Sequence, residues 1–288
     1  MEIRTDLALE RREMVADDCQ GVTSETLSVG TARITRIMVT DSVGAQCVGK
    51  PVGSYITIEV PPFSDESASD DERRSAITVE LTRILPKEGP ILIAGLGNAD
   101  ITPDALGPKT VESILATRHI GEELSHSLGL GALRSVSVIS PGVLGKTGIE
   151  TVEIIKGVVR EVSPAAVIVI DALASRRLSR LGCTVQISDT GISPGSGVGN
   201  ARKEISQSTL GVPVIAMGVP TVVDATTLAK DLLHGEEQQE DITQNGQGMM
   251  VTPKEIDTVI DHAADLVALS INCALHPHLS PEVLMALV

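Results

Sequence analysis

One alternation repeats after Pro90, and it limits the fold more than any other feature of the chain. Apolar runs, ILIAGLG, SVSVIS and AAVIVI, are each followed by a helix-like stretch: PKTVESILATRHI, GIETVEIIKGVVREV and the shorter DALASRRLSRL. Runs without polar alternation suit strands buried on both faces, and such strands need helices above and below them. The expected fold is therefore α/β, a mostly parallel sheet flanked by helices on both faces. CTVQISDT and VPVIAMGVP should extend the sheet, while VDATTLAKDLLH and TPKEIDTVIDHAADLVALSINCAL read as further helices separated by the polar loop GEEQQEDITQNGQG.

Upstream, ARITRIMVT and SYITIEV read as strands joined by the Gly/Pro loop VGAQCVGKPVG, a small β-rich N-terminal addition over about residues 30–60. The segment SDESASDDERRSAITVELTRIL begins with Ser and acidic residues and turns amphipathic, as a capped helix does. A chain of 288 residues accommodates this as one domain with additions.

Composition removes several function classes. Lys and Arg number 23 against 38 Asp and Glu, so the net charge is 23 − 38 = −15, which disfavours direct nucleic-acid binding through phosphates. Tyr55 and Phe63 are the only aromatic residues besides histidine, so the core must be aliphatic and base stacking is unavailable. No stretch approaches the roughly 20 uninterrupted apolar residues that span a bilayer, and MEIRTDLALERREM lacks a signal-peptide core. A cytoplasmic protein with no membrane partner is expected. Cys19, Cys47, Cys183 and Cys273 are scattered without a CxxC pair and are expected as reduced thiols. His119 and His262 fall in predicted helices and read as structural, and the HPH pair, His276 and His278, lacks further ligands nearby. No metal ligand and no cofactor is assigned.

Ligands of open α/β sheets gather where strands end. Three loops qualify: residues 95–108, residues 140–148, and the segment that starts at Asp171. GLGNAD puts Asp100 where a dinucleotide fingerprint needs its third Gly, and GSGVGN also misses the spacing. SPGVLGKT places Lys146 and Thr147 as in a phosphate-binding P-loop, with Asp171 as a magnesium-holding candidate. Ser140 replaces the first Gly, however, and Pro141 removes a needed N–H. GISPG matches the serine-hydrolase string, but Pro194 follows Ser193 and cannot donate to an oxyanion hole.

The carboxylates remain. Alone, Asp104 or Asp171 could simply cap a helix. Together they sit in loops that follow parallel strands, where one cleft would bring them close. Two neighbouring carboxylates cannot both ionise easily, which leaves one acid and one base for water-mediated peptide hydrolysis.

GLGNADITPDALGPK, SPGVLGKTGIET, VIVIDALASR, ISDTGISPGSGVGNARKEIS, VPTVVDA and MVTPKE together resemble the germination proteases of spore-forming bacteria, over nearly the whole chain. The resemblance implies a fold similar to that of hydrogenase maturation proteases and an atypical aspartic endopeptidase that degrades small acid-soluble spore proteins. It implies Asp104 and Asp171 as the catalytic pair and a homotetramer in the cytoplasm of the spore core. Hydrogenase maturation proteases bind a metal in this region, so a metal-dependent peptidase using the same aspartates is the alternative it carries. A P-loop-like hydrolase using Lys146, Thr147 and Asp171 is the other. Family substrates are cut after an acidic residue, before an apolar one followed by Ala and, two residues on, Glu. RTDLALE fits, so self-cleavage between Asp6 and Leu7 is predicted, with 1–6 a propeptide and 7–288 a single peptidase domain. The leader and the loop before MVTPKE are shorter than is usual in the family. Asn98 is expected to hold its loop, and Ser188, Asp189 and Arg202 to line the cleft.

Overall fold

The structure is a computed structural model and describes residues 3–15, 19–232 and 248–288. The polar stretch before MVTPKE therefore lies outside the described residues, apart from Gly248.

The described strands join in one mixed sheet. An antiparallel meander comes first: β1 (Val22–Val29), β2 (Ala32–Val39) and β3 (Gly53–Glu59). The apolar runs that follow Pro90 supply β4 (Ile91–Gly95), β5 (Val136–Ile139), β6 (Ala166–Ser175), β7 (Thr184–Ser188) and β8 (Val214–Asp224). A two-residue β9 (Met250–Val251) pairs with β8. The order is β1-β2-β3-β7-β8-β6-β4-β5. Pairing is parallel among β5, β4, β6 and β8. It is antiparallel where β7 joins β8 to β3, so the β-rich addition continues the same sheet.

Strand periodicity divides the core. Ile91 and Ile93 of β4, with Ala166, Ile168 and Ile170 of β6, face one hydrophobic cluster, and Leu92, Ala94, Val167 and Val169 face another. Helices α1 (Ala8–Glu13) and α2 (Ser42–Val48) sit against the meander. The first core face is covered by α3 (Asp70–Ile84), which Ser69 caps, five residues after the Ser that opens the segment, and by α4 (Leu106–Glu112). Helices α5 (Glu122–Ser127) and α6 (Leu144–Thr147) are short connectors. The second face is covered by α7 (Thr151–Val162) and α8 (Gln207–Leu210). After α9 (Ala225–Leu232) come α10 (Ile256–Leu275) and α11 (Pro281–Ala286). By length and composition α10 could cross a membrane, yet Val259, Ile260, Val267 and Ile271 place it in the first core beside α3 and α4.

Four expectations change. DALAS is not the start of a helix, because β6 stays paired with β8 from Val167 to Ser175 and carries Asp171 inside the strand. VGAQCVGKPVG is not all loop: Asp41 caps α2 by accepting the Gly44 N–H at 2.9 Å, and Gly49 ends it in the left-handed conformation. His119 lies in a turn, because α4 stops at Glu112. Cys19 and Cys47 form a disulfide and are not reduced thiols. The ladder aligning Val22 with Val39 and the Thr40 N–H bond to the Gly21 carbonyl bring the strand end beside α2, leaving the two Cα atoms 6.2 Å apart. Cys183 and Cys273 are free.

Candidate active site

The sheet itself makes the site. β4 ends at Gly95, opposite Ile170, while β6 runs on beside β8 alone. Asp171 is thus the first β6 residue past the end of β4, and the chain leaving β4 is the loop that carries Asp104. Thr102–Asp104 form a single 3-10 turn, closed by the Asp104 N–H bond to the Ile101 carbonyl at 2.8 Å. Leu106 and Ala105, both fully buried, anchor the turn from below; burying a Leu contributes about 1.5–3 kcal/mol. Gly107 permits the close approach. A Cβ there would stand 2.2 Å from the Leu96 carbonyl oxygen and 2.5 Å from that of Ile170, so no side chain fits between α4 and the two strand ends.

The two carboxyl groups differ in environment. Asp104 is part-buried, and its Oδ2 accepts the Asn98 N–H at 2.8 Å. Burial raises its pKa, with the Asn98 N–H opposing. Asp171 is 5% exposed, and its Oδ1 accepts the Ala172 N–H at 3.0 Å. Burial, then the Asp104 charge and then that of Asp6 push it well above the ordinary carboxyl value. Of the two, Asp171 is the one whose neutral form the surroundings favour more.

Both aspartates line a cavity of about 500 Å³, together with Asn98, Arg202 and Asp6. Asp6 belongs to a docked N-terminal segment. Its N–H bonds the Ala174 carbonyl at 2.9 Å, and its carboxylate accepts the Ala174 N–H at 2.9 Å and the Ser196 hydroxyl at 2.8 Å. Its carbonyl oxygen accepts Lys50 Nζ at 2.8 Å and Gln186 Nε2 at 3.1 Å. Leu7, Ala8 and Glu10 are buried. The Glu10 carboxylate accepts the Arg176 N–H at 2.6 Å, the Arg177 N–H at 3.0 Å and Arg180 at 3.1 Å, with the Thr5 hydroxyl as a further donor.

Comparison with known proteins assigns the chain. The family described as germination protease matches residues 2–235. A germination protease of Caldanaerobacter subterraneus subsp. tengcongensis is 45% identical over 97% of this chain and 96% of its own length. One of Bacillus subtilis is 39% identical over 97% and 95%. This chain belongs to the germination protease family. It is accordingly a peptidase, a hydrolase of the peptide bond. Among solved structures, the NiFe hydrogenase maturation protease HycI of Thermococcus kodakarensis is 17% identical, covering 67% of this chain and 98% of that one with a TM-score of 0.38.

Within this germination protease the residues singled out by sequence separate into groups. Asp104, Asp171, Asp6, Asn98 and Arg202 share one cavity. Asn98 also bonds within its loop, its Oδ1 accepting the Asp100 N–H at 3.1 Å. Ser188 lines a neighbouring cavity of about 450 Å³, which Asp6 also borders. Asp189 instead accepts the Ser54 N–H at 2.8 Å, between β7 and β3, and Leu7 is fully buried and lines neither cavity. Lys146 and Thr147 do not line the main cavity. Lys146 pairs with Asp100, and the Thr147 hydroxyl bonds the carbonyls of Val143 and Ile149 at 3.2 and 3.0 Å.

Lys50, Gln186 and Ser196 were missed by sequence reasoning. The readable signal for Ser196 was GSGVGN, whose glycines leave room for Asn200, the Asp6 carboxylate and the Arg4 guanidinium in turn. A Cβ on Gly197 would stand 2.1 Å from Asp6 Oδ2. His276 is buried with both ring nitrogens unpartnered, and burial pushes its pKa down to about 4.

Proposed function

We propose that this germination protease is an endopeptidase that cuts small acid-soluble spore proteins when spores germinate, with Asp104 and Asp171 acting on one water molecule. The observation that supports the reading best is that both carboxyl groups and Asp6 border one cavity. Asp104, the less buried of the pair, takes a proton from water as general base. Asp171, whose neutral form burial and its negative neighbours favour, gives its proton to the leaving amine. Each such transfer contributes about 10²–10⁴-fold to rate.

The chain would also be its own first substrate. Asp6 lies against the cavity with Leu7 and Ala8 buried beyond it, an arrangement suited to a self-processing zymogen cut at the Asp6–Leu7 bond, with 1–6 as propeptide and 7–288 as the peptidase domain. A homotetramer in the spore-core cytoplasm completes the proposal and rests on the family resemblance.

A resident metal does not fit the donor set. Among the described residues no group of three or more His, Cys, Asp or Glu side chains comes together to hold an ion, and the Asp6 carboxylate on the same cavity is taken up by the Ala174 N–H and the Ser196 hydroxyl. The phosphate-binding reading loses support because Lys146 and Thr147 are engaged elsewhere.

The test incubates wild type, Asp104→Asn and Asp171→Asn with a purified small acid-soluble spore protein, with and without chelator, and maps fragments by mass spectrometry. Cleavage after acidic residues by wild type alone, indifferent to chelator, is expected. Equal cutting by both variants would remove these aspartates from the mechanism, and chelator sensitivity would restore the metal.

A further inference from the structure

Lys50 follows the Gly that ends α2 and belongs to neither the aspartate loop nor β6. Its ammonium nonetheless reaches the main-chain carbonyl oxygen of Asp6 at 2.8 Å, and the side-chain amide of Gln186, on β7, reaches the same oxygen at 3.1 Å. A carbonyl in an extended segment needs one donor, and an N–H would serve. Here two side-chain donors, one of them charged, converge on the carbonyl that precedes the bond assigned to self-cleavage. Gln186 is itself held in place, since its Oε1 accepts the Ala8 N–H at 2.7 Å. Gln186 thus holds the Asp6 carbonyl and the Ala8 N–H on either side of the bond, the Leu7 N–H bonds the Thr5 hydroxyl at 3.1 Å, and Asp6 borders both the cavity of the two aspartates and the neighbouring one that Lys50 and Gln186 line.

We propose that Lys50 and Gln186 form the oxyanion-binding pair of this peptidase, with Lys50 as a catalytic residue that neutralises the charge developing on the scissile carbonyl oxygen. The assignment rests on the reading of the Asp6–Leu7 bond as the processing site. Water oxygen bonds to the Asp6 carbonyl carbon as its proton passes to Asp104, and the carbonyl π pair moves onto oxygen. That oxyanion forms beside Lys50 Nζ and Gln186 Nε2, which stand 2.8 and 3.1 Å from the carbonyl oxygen of the resting segment. On collapse the C–N bond breaks, its electron pair leaves on the Leu7 nitrogen, and the Asp171 proton follows it. The products are the Asp6 carboxyl group and the Leu7 amine. Desolvation lowers the Lys50 pKa and the Arg11 charge adds to this, while the Asp6 carboxylate opposes it and favours the ammonium.

The full chain provides the test, through the first-order appearance of a Leu7 amino terminus. Lys50→Met should slow it by about 10²–10³-fold, the loss typical of one oxyanion donor. Gln186→Leu should slow it independently, by at least tenfold, and Lys50→Arg should recover at least tenfold of the Lys50→Met loss. Hydrogen exchange of residues 4–10, measured in an Asp104→Asn background to prevent cleavage, should show protection within threefold with or without Lys50→Met. Loss of that protection would mean that Lys50 merely holds the segment, which overturns the proposal. Cleavage by Lys50→Met within threefold of wild type would also overturn it while leaving the peptidase reading intact. A wild type that never produces the Leu7 terminus would instead sink the self-processing reading, and the Lys50 assignment with it.

Discussion

Asp104 reaches the cavity from a three-residue turn, part-buried and hydrogen-bonded to one loop N–H, whereas Asp171 sits inside a ten-residue strand with 5% exposure. The strand cannot move its carboxyl group toward water without breaking pairing to β8, while the turn can relax by small changes. Two identical side chains therefore receive different surroundings from two kinds of support: a buried position on a paired strand for Asp171 and a more exposed one on a short turn for Asp104. The difference teaches that the fold alone sets the two carboxyl groups apart in proton affinity, the asymmetry that the proposed acid and base roles need.

The largest effect should come from removing either group. Asp104→Asn or Asp171→Asn should each lower cleavage by about 10³-fold or more, read by fragment mass spectrometry. Stability should distinguish them. Asp171→Asn should raise the unfolding free energy at pH 7 by about 1–3 kcal/mol, since it removes a group whose ionisation burial opposes, and Asp104→Asn should stay within about 1 kcal/mol. Equal shifts in denaturant midpoint would break the comparison.

Gly107→Ala attacks the contact that brings the turn to the strand. With the Ile170 carbonyl 2.5 Å from the new Cβ, we expect about 1–3 kcal/mol of destabilisation. Displacing Asp104 by about 1 Å should also cost on the order of 10²-fold in cleavage rate. Wild-type activity in Gly107→Ala would show that Asp104 need not be held so closely.

The pH dependence follows from the sign of the Asp171 shift. A raised native pKa means that the folded state binds more protons, so this contribution to stability is fully present below the unfolded carboxyl value of about 3.9 and is lost as pH rises through the native pKa. Urea midpoints should fall over that interval. Asp104→Asn removes one of the negative neighbours and should narrow it, whereas midpoints independent of pH there would contradict the burial argument. The smallest effect is expected at Lys146→Ala, which breaks only a surface pair with Asp100 and should leave cleavage within threefold.

Much of this was legible in the chain. The unalternating runs marked β4, β5, β6, β7 and β8, and the strand-end rule led to both aspartates. Asp171 was nonetheless placed at a strand end, because DALAS followed by SRR carries no β signal of its own. Only the long-range register from Asp171 opposite Gly218 to Ser175 opposite Val223 makes it a strand. Cues for α2, the Asp41 cap and Gly49, were present locally but were outweighed by the Gly/Pro content around them. The Cys19–Cys47 bond and the convergence of Lys50 with Gln186 depend on how the meander folds back, which no local pattern encodes.

The burial of Leu7, Ala8 and Glu10 has a consequence for turnover. A cut after Asp6 would leave these residues covalently attached to the enzyme, still seated in the groove. Such a tethered occupant acts at an effective concentration on the order of millimolar, which no dilution lowers. A later peptide that docks on the same contacts would then compete with the enzyme's own new amino terminus.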